Sequence, residues 1–330
     1  MSYLVTLTPS GHTFNCEENE SVLDAALRSG INLSYHCTTG SCGECKAKLL
    51  EGRVDDYRHH DFVISEAEKI ANTVLLCSVS AASDLILEAH EAVTAWDIPQ
   101  QQIAVKIAKI DRVNESNLVL HLRTPRSRTL RFLAGQYVEV MGANGAKANF
   151  YIASCPCNGM VVQLHVQRNE TDFSRYAFQS LKVGDSLDIN GPFGNFTLNE
   201  ASRRPIVMIA QDTGFAPLKS LIEHAIALDL PQSMQLFWMV GNGQVHYQDN
   251  YCRSWEDALD CFVYHPFQLL ELGDGENDYH TAVSFILERT PVESEIDLYL
   301  AGSNRMIDIC REAFIQKGTP ADKILVAKPA

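Results

Sequence analysis

Cys37-Thr38-Thr39-Gly40-Ser41-Cys42-Gly43-Glu44-Cys45, with Cys77 following after 31 intervening residues, decides how this chain is read. Three thiolates within nine residues can face one small object only if the backbone turns sharply. Gly40 and Gly43 permit positive φ and let amide N–H groups approach anionic sulfur. Cys77, inside Leu75-Leu76-Cys77, supplies a fourth ligand from a remote strand. The C-x4-C-x2-C…C spacing is that of a [2Fe–2S] site. Structural zinc is the rival, because four cysteines also hold zinc, but zinc modules usually present two paired knuckles and here the fourth cysteine stands alone. Cys16, Cys155, Cys157, Cys252, Cys261 and Cys310 read as structural thiols, and Cys155-Pro156-Cys157 as too tight for an easy disulfide.

Working outward, 330 residues at 46% hydrophobic and 21% charged can bury two or three cores, which excludes wholesale disorder. No apolar run is long enough to insert in a membrane, and Met1-Ser2-Tyr3-Leu4 lacks the regions of a secretory signal. Ten cysteines without a leader point to metal ligands and reduced thiols in a cytoplasmic protein. The net charge of −14 argues against nucleic acid as a partner. Its distribution is uneven: residues 1–92 carry −8, residues 101–200 carry +3 and residues 201–330 carry −8. An acidic N-terminal face suits a basic redox partner, and ordinary solvated surface is the alternative.

The charge breaks divide the chain. Residues 1–92 begin with strands at 3–8 and 12–16 and a helix capped by Ser21 and closed at Gly30. A linker spans 93–100. Residues 101–200 show short alternating strands, such as Leu118-Leu120-Leu122 and Val162-Leu164-Val166, and one brief helix at 173–181, as in a small antiparallel barrel. Residues 201–330 open on the apolar run Ile206-Val207-Met208-Ile209-Ala210, then a glycine turn, helical spacing from Leu218, and further strands at 235–240 and 297–301. That is the pattern of a parallel α/β sheet.

Residues 1–92 resemble a plant-type ferredoxin, including Leu49-Leu50-Glu51-Gly52-Arg53-Val54 downstream of the cysteines. Gly135-Gln136-Tyr137, Gly191-Pro192-Phe193-Gly194, Thr213-Gly214-Phe215-Ala216-Pro217 and Gly302 with Met306 extend the likeness over nearly the whole chain. The whole resembles the iron–sulfur flavoprotein reductases that feed oxygenases and dehydrases. That resemblance implies a multi-domain α+β and α/β fold: a β-grasp ferredoxin domain, an antiparallel Greek-key β-barrel for FAD, and a Rossmann-like parallel α/β domain for NAD(P)H. It implies Cys37, Cys42, Cys45 and Cys77 as cluster ligands. Asn149, Phe150, Tyr151, Ile152, Ser154 and Ser174 match the flavin-binding positions, and Thr213 and Gly214 the nicotinamide-binding positions.

Several chemistry-bearing positions depart from that family. Ala148 stands where its Arg-x-Tyr-Ser motif has the arginine, Phe150 in place of the tyrosine and Tyr151 in place of the serine. Lys147 is adjacent, but a one-residue offset on a strand points to the other face. Ser174 meets the pyrophosphate at a helix start in this reading, with Arg168 or Arg175 as a substitute cation. Gln211-Asp212-Thr213-Gly214 replaces Gly-Gly-Thr-Gly, Gly241 an arginine, Ala301 a cysteine and Ser303 a proline. An aspartate at contact distance from a diphosphate costs about 3–4 kcal/mol, and far less if it turns outward as a cap. Two functions follow: a reductase component passing electrons from NAD(P)H through FAD and the cluster to a partner such as an oxygenase, or a degenerate, ferredoxin-like carrier within a larger complex. His36, His59 and His60 read as surface residues, and no Ser-His-Asp or paired-carboxylate site is present to make a catalyst of another kind.

Overall fold

The computed structural model describes residues 2–158, 160–241, 243–269, 278–291 and 295–327. The first unit contains β1 (Ser2–Thr8), β2 (Thr13–Glu17), α1 (Val22–Arg28), β3 (Lys46–Glu51), β4 (Val54–Asp56), α2 (Glu66–Ile70), β5 (Thr73–Leu75), β6 (Val79–Ala81) and β7 (Leu85–Glu88). Its sheet runs β2-β1-β7-β3-β5, with β1 and β7 parallel and the other neighbours antiparallel. The Ser21 side chain accepts the Asp24 N–H and starts α1, which buries Val22, Leu23, Ala25, Ala26 and Leu27 against the sheet. A helix laid across a mixed sheet is the β-grasp arrangement. The Leu23 N–H donates to the Leu76 carbonyl at 3.0 Å, which ties the helix start to the segment that carries Cys77.

The connection at 93–100 is ordered. Asp97 Oδ2 accepts the Val93 N–H, the Thr94 N–H and the Thr94 hydroxyl, closing one 3-10 turn over Ala95–Asp97. A six-stranded sheet follows, built from β8 (Gln101–Arg112), β9 (Asn117–Arg123), β10 (Tyr137–Met141), β11 (Lys147–Tyr151), β12 (Val161–Gln167) and, after α3 (Asp172–Gln179), β13 (Ser186–Phe193). Its order is β11-β10-β13-β8-β9-β12, and a bridge between Ile152 and Leu164 brings the two edge strands together into a nearly closed barrel. The alternation seen in the sequence is what fills it: Ile103, Val105, Ile107, Leu118, Leu120, Leu122, Val162, Leu164 and Val166 all point inward.

The last unit alternates β14 (Ile206–Gln211), α4 (Phe215–Ala227), β15 (Met234–Val240), α5 (Asp249–Ala258), β16 (Phe262–Gln268), α6 (Tyr279–Arg289), β17 (Asp297–Ala301), α7 (Asn304–Gln316) and β18 (Ile324–Ala327). All five strands are parallel in the order β16-β15-β14-β17-β18. β14 is buried along its whole length because helices cover both faces, which explains its unbroken apolar run. The order reverses at β14. The crevice beyond its carboxyl end is where open α/β sheets take ligands.

The units meet through specific bonds. Thr38 N–H donates to the Arg126 carbonyl and Thr129 N–H to the His36 carbonyl, each at 3.2 Å, so the cysteine loop rests on the barrel. Lys219 of α4, 1% exposed, donates to the Ala153 carbonyl at 3.1 Å, to Gln163 Oε1 at 3.3 Å and to Glu223. Glu223 in turn accepts the Cys155 N–H at 3.0 Å. The sequence expectation for Cys155-Pro156-Cys157 is corrected: a disulfide joins Cys155 and Cys157, because the 3-10 turn at Pro156–Asn158 sets their Cα atoms 5.2 Å apart, within disulfide range.

Lys219→Met keeps the apolar stem and removes the two bonds across the barrel seam, to Ala153 and Gln163, and the one to Glu223 within α4. It is expected to cost about 2–3 kcal/mol in chemical denaturation, whereas an unchanged midpoint would show that the seam does not depend on this ammonium.

Candidate functional site: a two-iron hairpin and an interdomain cleft

The cysteine hairpin is shaped by its glycines and by the loop that covers it. Gly40 has φ 77° and Gly43 φ 80°. A Cβ on Gly40 would stand 2.6 Å from His60 Cβ and 2.9 Å from Ser78 Oγ, and one on Gly43 would enter the Phe62 ring. His60 is therefore half-buried over the hairpin, not a free surface residue, and its Nδ1 lies 2.8 Å from the Phe62 carbonyl. Phe62 N–H donates to the Gly40 carbonyl at 3.0 Å, and Leu76 N–H to the Cys45 carbonyl at 3.0 Å. The second of these bonds holds the segment that carries Cys77 against Cys45.

All four thiols are free of disulfides. Among the described residues no three His, Cys, Asp or Glu side chains close on a single-ion position. The thiols influence one another as two pairs, Cys37 with Cys42 and Cys45 with Cys77. Burial opposes ionisation of Cys37, but hydrogen bonds from Ser41, from Cys42 and from the backbone bring it down to about 6. Ser41 Oγ is the donor, 3.5 Å from Cys37 Sγ. Burial pushes Cys42 up. In the second pair each thiol acts on the other, pushing Cys45 up and bringing Cys77 down to about 6. Four disulfide-free cysteines, with the Ser41 hydroxyl and the Glu44 N–H donating to sulfur, are a donor set fitted to a [2Fe–2S] cluster.

The second feature is a cleft of about 370 Å³ at the carboxyl end of β14, between the barrel and the parallel sheet. Of the residues expected to bind cofactors, Asn149, Phe150, Tyr151, Ser174, Thr213 and Gly214 line it. Ile152 and Ser154 do not. Ile152 is fully buried in the barrel core, and the Ser154 hydroxyl accepts the Gln163 N–H at 3.1 Å behind the wall. Phe150 packs against Phe173 at 5.1 Å, and Tyr151, one residue on, turns to the other side, edge-on to Tyr137 and Phe196. Burial, with Tyr137 beside it, pushes the Tyr151 phenol up to about 12, so it stays neutral. Gly214 cannot carry a side chain, because a Cβ would meet the Ala301 carbonyl.

Sequence reasoning missed His165, which lines the cleft while only 4% exposed. Its Nδ1 lies 2.7 Å from the Tyr247 hydroxyl and its Nε2 has no partner. Burial drives its pKa well down, so the ring is neutral. It sits on the outward face of β12, facing Phe215 of α4, and only the alternation of that strand could have singled it out.

Four of the five unusual residues on the nicotinamide side prove to be bonded in pairs. Gln211 Oε1 accepts the Ser303 hydroxyl at 2.7 Å and the Ser303 N–H at 3.3 Å, joining the ends of β14 and β17. Asp212 Oδ1 accepts the Gly241 N–H at 3.1 Å. Asp212 also keeps φ 49°, the conformation a glycine would adopt, which an aspartate tolerates better than most residues. Burial raises its pKa, partly offset by the Gly241 N–H, Gln211 and His246.

A two-iron hairpin docked on a flavin-type barrel, which itself packs on a nucleotide-type sheet, defines a modular electron-transfer oxidoreductase. Family models agree unit by unit: a 2Fe-2S iron-sulfur cluster binding domain matches residues 5–82, an oxidoreductase FAD-binding domain 104–198 and an oxidoreductase NAD-binding domain 208–312. The chain is 32% identical over 330 residues to a CDP-6-deoxy-L-threo-D-glycero-4-hexulose-3-dehydrase reductase of Yersinia pseudotuberculosis serotype I, covering 98% of this chain and 97% of that one. It is 29% identical over 280 residues to a terephthalate 1,2-dioxygenase reductase component of a Comamonas species, covering 85% and 82%. Among solved structures, an Amycolatopsis cytochrome P450 reductase shares the fold with TM-score 0.61, 23% identity and coverage of 99% and 98%. Phthalate dioxygenase reductase does so with TM-score 0.54, 16% identity and coverage of 71% and 70%.

The chain belongs to the family of iron–sulfur flavoprotein reductases. It is an NAD(P)H-dependent oxidoreductase, with a [2Fe–2S] cluster, FAD and NAD(P)H as its cofactors, that delivers electrons to a partner protein.

Two outcomes test the site. Gly40→Ala must pass through a strained backbone costing about 1–2 kcal/mol and displace His60; bound iron per chain should fall sharply, while Ser41→Ala, which removes one hydrogen bond to sulfur, keeps it. A carboxyl whose folded pKa is raised stabilises the fold least above that pKa and most below the ordinary carboxylate range. Asp212→Asn should therefore raise the melting temperature near about pH 8, with a gain that shrinks towards about pH 4; a gain independent of pH would remove the charge explanation.

Proposed function

We propose that Cys37 and Cys42 hold one iron and Cys45 and Cys77 the other, within a ferredoxin unit spanning residues 1–92. The barrel of residues 101–200 and the α/β unit of residues 201–330 then take FAD and the nicotinamide from opposite walls of the shared cleft. When bound, FAD accepts a hydride from NAD(P)H and releases electrons singly, and the cluster carries them one at a time. The chain's own part is positional. Phe150 and Tyr151 offer the barrel wall for a flat ring, Thr213 and Gly214 present the backbone at the start of α4, and neutral Tyr151 and His165 add no charge at the reacting end.

The observation that carries this reading is the docking of the cysteine loop on the barrel through Thr38–Arg126 and His36–Thr129. It gives electrons a short protein route from flavin unit to cluster. The acceptor is an oxygenase component or, as the name of the Yersinia relative implies for that protein, a dehydrase acting on a nucleotide-linked deoxyhexulose. The −8 charge of residues 1–92 suits a basic docking face on that acceptor. A cytoplasmic site of action is in keeping with the absence, among the described residues, of any helix long and apolar enough to cross a membrane.

Anaerobic addition of NADH or NADPH to the FAD-supplemented protein should bleach the visible bands of the cluster and produce a low-temperature paramagnetic signal. Cys77→Ala should abolish both. A cluster that dithionite reduces but NADH and NADPH leave oxidised, with FAD present in excess, would reject the reductase and favour the carrier.

A further inference from the structure

FAD and NAD(P)H each carry a diphosphate, so a cleft that retains either needs countercharge or converging N–H donors. The described residues lining this cleft include no lysine or arginine, and their one carboxylate is Asp212. The neighbouring cations are committed elsewhere. Lys147 lies 3.1 Å from Glu139 on the neighbouring strand. Arg175 pairs with Asp172 and, at 4.0 Å, with Glu170. Arg168 donates to the Glu115 carbonyl at 2.8 Å and lies over the Phe178 ring. The start of α3 is occupied as well. Thr171 Oγ accepts the Ser174 N–H, and the Ser174 hydroxyl spans the Asn169 N–H at 2.9 Å and the Gln167 carbonyl at 3.2 Å.

We propose that the chain holds FAD as a dissociable cofactor, gripped through its ring system, while the diphosphate goes without a cationic partner. This rests on the reading of the cleft as the flavin site. The consequence is an inverted salt dependence. Affinity for a dianion falls with salt when a cation holds it, because screening weakens the attraction. Where the only acidic or basic side chain among the described lining residues is Asp212, screening weakens a repulsion, and affinity stays level or rises. Ala148, half-buried on the cleft side of β11, is the position from which an introduced cation can reach the cleft.

Titration of flavin-stripped protein with FAD, followed by quenching of flavin fluorescence at low and high salt, tests this, with bound iron as the check that each variant is folded. The wild-type chain should lose flavin on desalting and bind FAD no more weakly as salt rises. Ala148→Arg should bind roughly tenfold tighter at low salt and lose that gain at high salt. Asp212→Asn should bind several-fold tighter with little salt dependence. A wild-type chain that keeps stoichiometric FAD through desalting, or whose affinity falls as salt rises, overturns the proposal and leaves the flavin site standing; the falling affinity would point to Lys328, the one lysine or arginine outside the described residues. If neither the wild type nor either variant binds FAD while iron is retained, the flavin reading fails with it.

Discussion

Bringing four thiolates together concentrates negative charge in a partly buried place, and the rest of the molecule is arranged around making that tolerable. The hairpin turns at Gly40 and Gly43 because no side chain fits beneath His60 and Phe62. Ser41 and the backbone N–H groups supply donors to sulfur. The first turn of α1 holds the segment carrying Cys77 through Leu76. The same hairpin is pinned to the barrel at Thr38 and His36, which holds the proposed cluster site against the flavin-type unit.

The switch point of the parallel sheet departs from the family pattern where the hairpin keeps it. Its substitutions are not scattered losses. Gln211 answers Ser303, and Asp212 answers Gly241, so each pair satisfies polar groups that a glycine-rich turn would leave to a ligand. The turn keeps its shape, including positive φ at residue 212, while its electrostatics change. Fold and cofactor chemistry are thus separable here: the frame persists where packing demands it, and the charge at the cleft is set by a handful of side chains.

The sequence was most legible where the chemistry is local. Four cysteines at fixed spacing point to a [2Fe–2S] cluster without any knowledge of tertiary contacts, and the alternation at Leu118–Leu122 and Val162–Val166 marks the barrel strands to within a residue or two of their observed bounds. It was least legible at the seams. Lys219, His165 and Gln211 act through partners between 56 and 92 positions away in most of their contacts, and no window along the chain brings those together. Ile152 and Ser154 share a motif with Phe150 and Tyr151, yet the pleat and the barrel closure at Ile152 put them behind the wall. Cys155 and Cys157 were misjudged because the tightness of a 3-10 turn cannot be read from spacing alone.

The central claim is that the two thiol pairs hold two irons and not one ion. Iron and acid-labile sulfide, measured on anaerobically purified protein together with Mössbauer spectra before and after dithionite, address it directly. The account predicts iron and sulfide in equal amounts, two of each per chain, with two ferric sites in the oxidised state and one ferrous site after reduction. Zinc, or a single iron without sulfide, would contradict it.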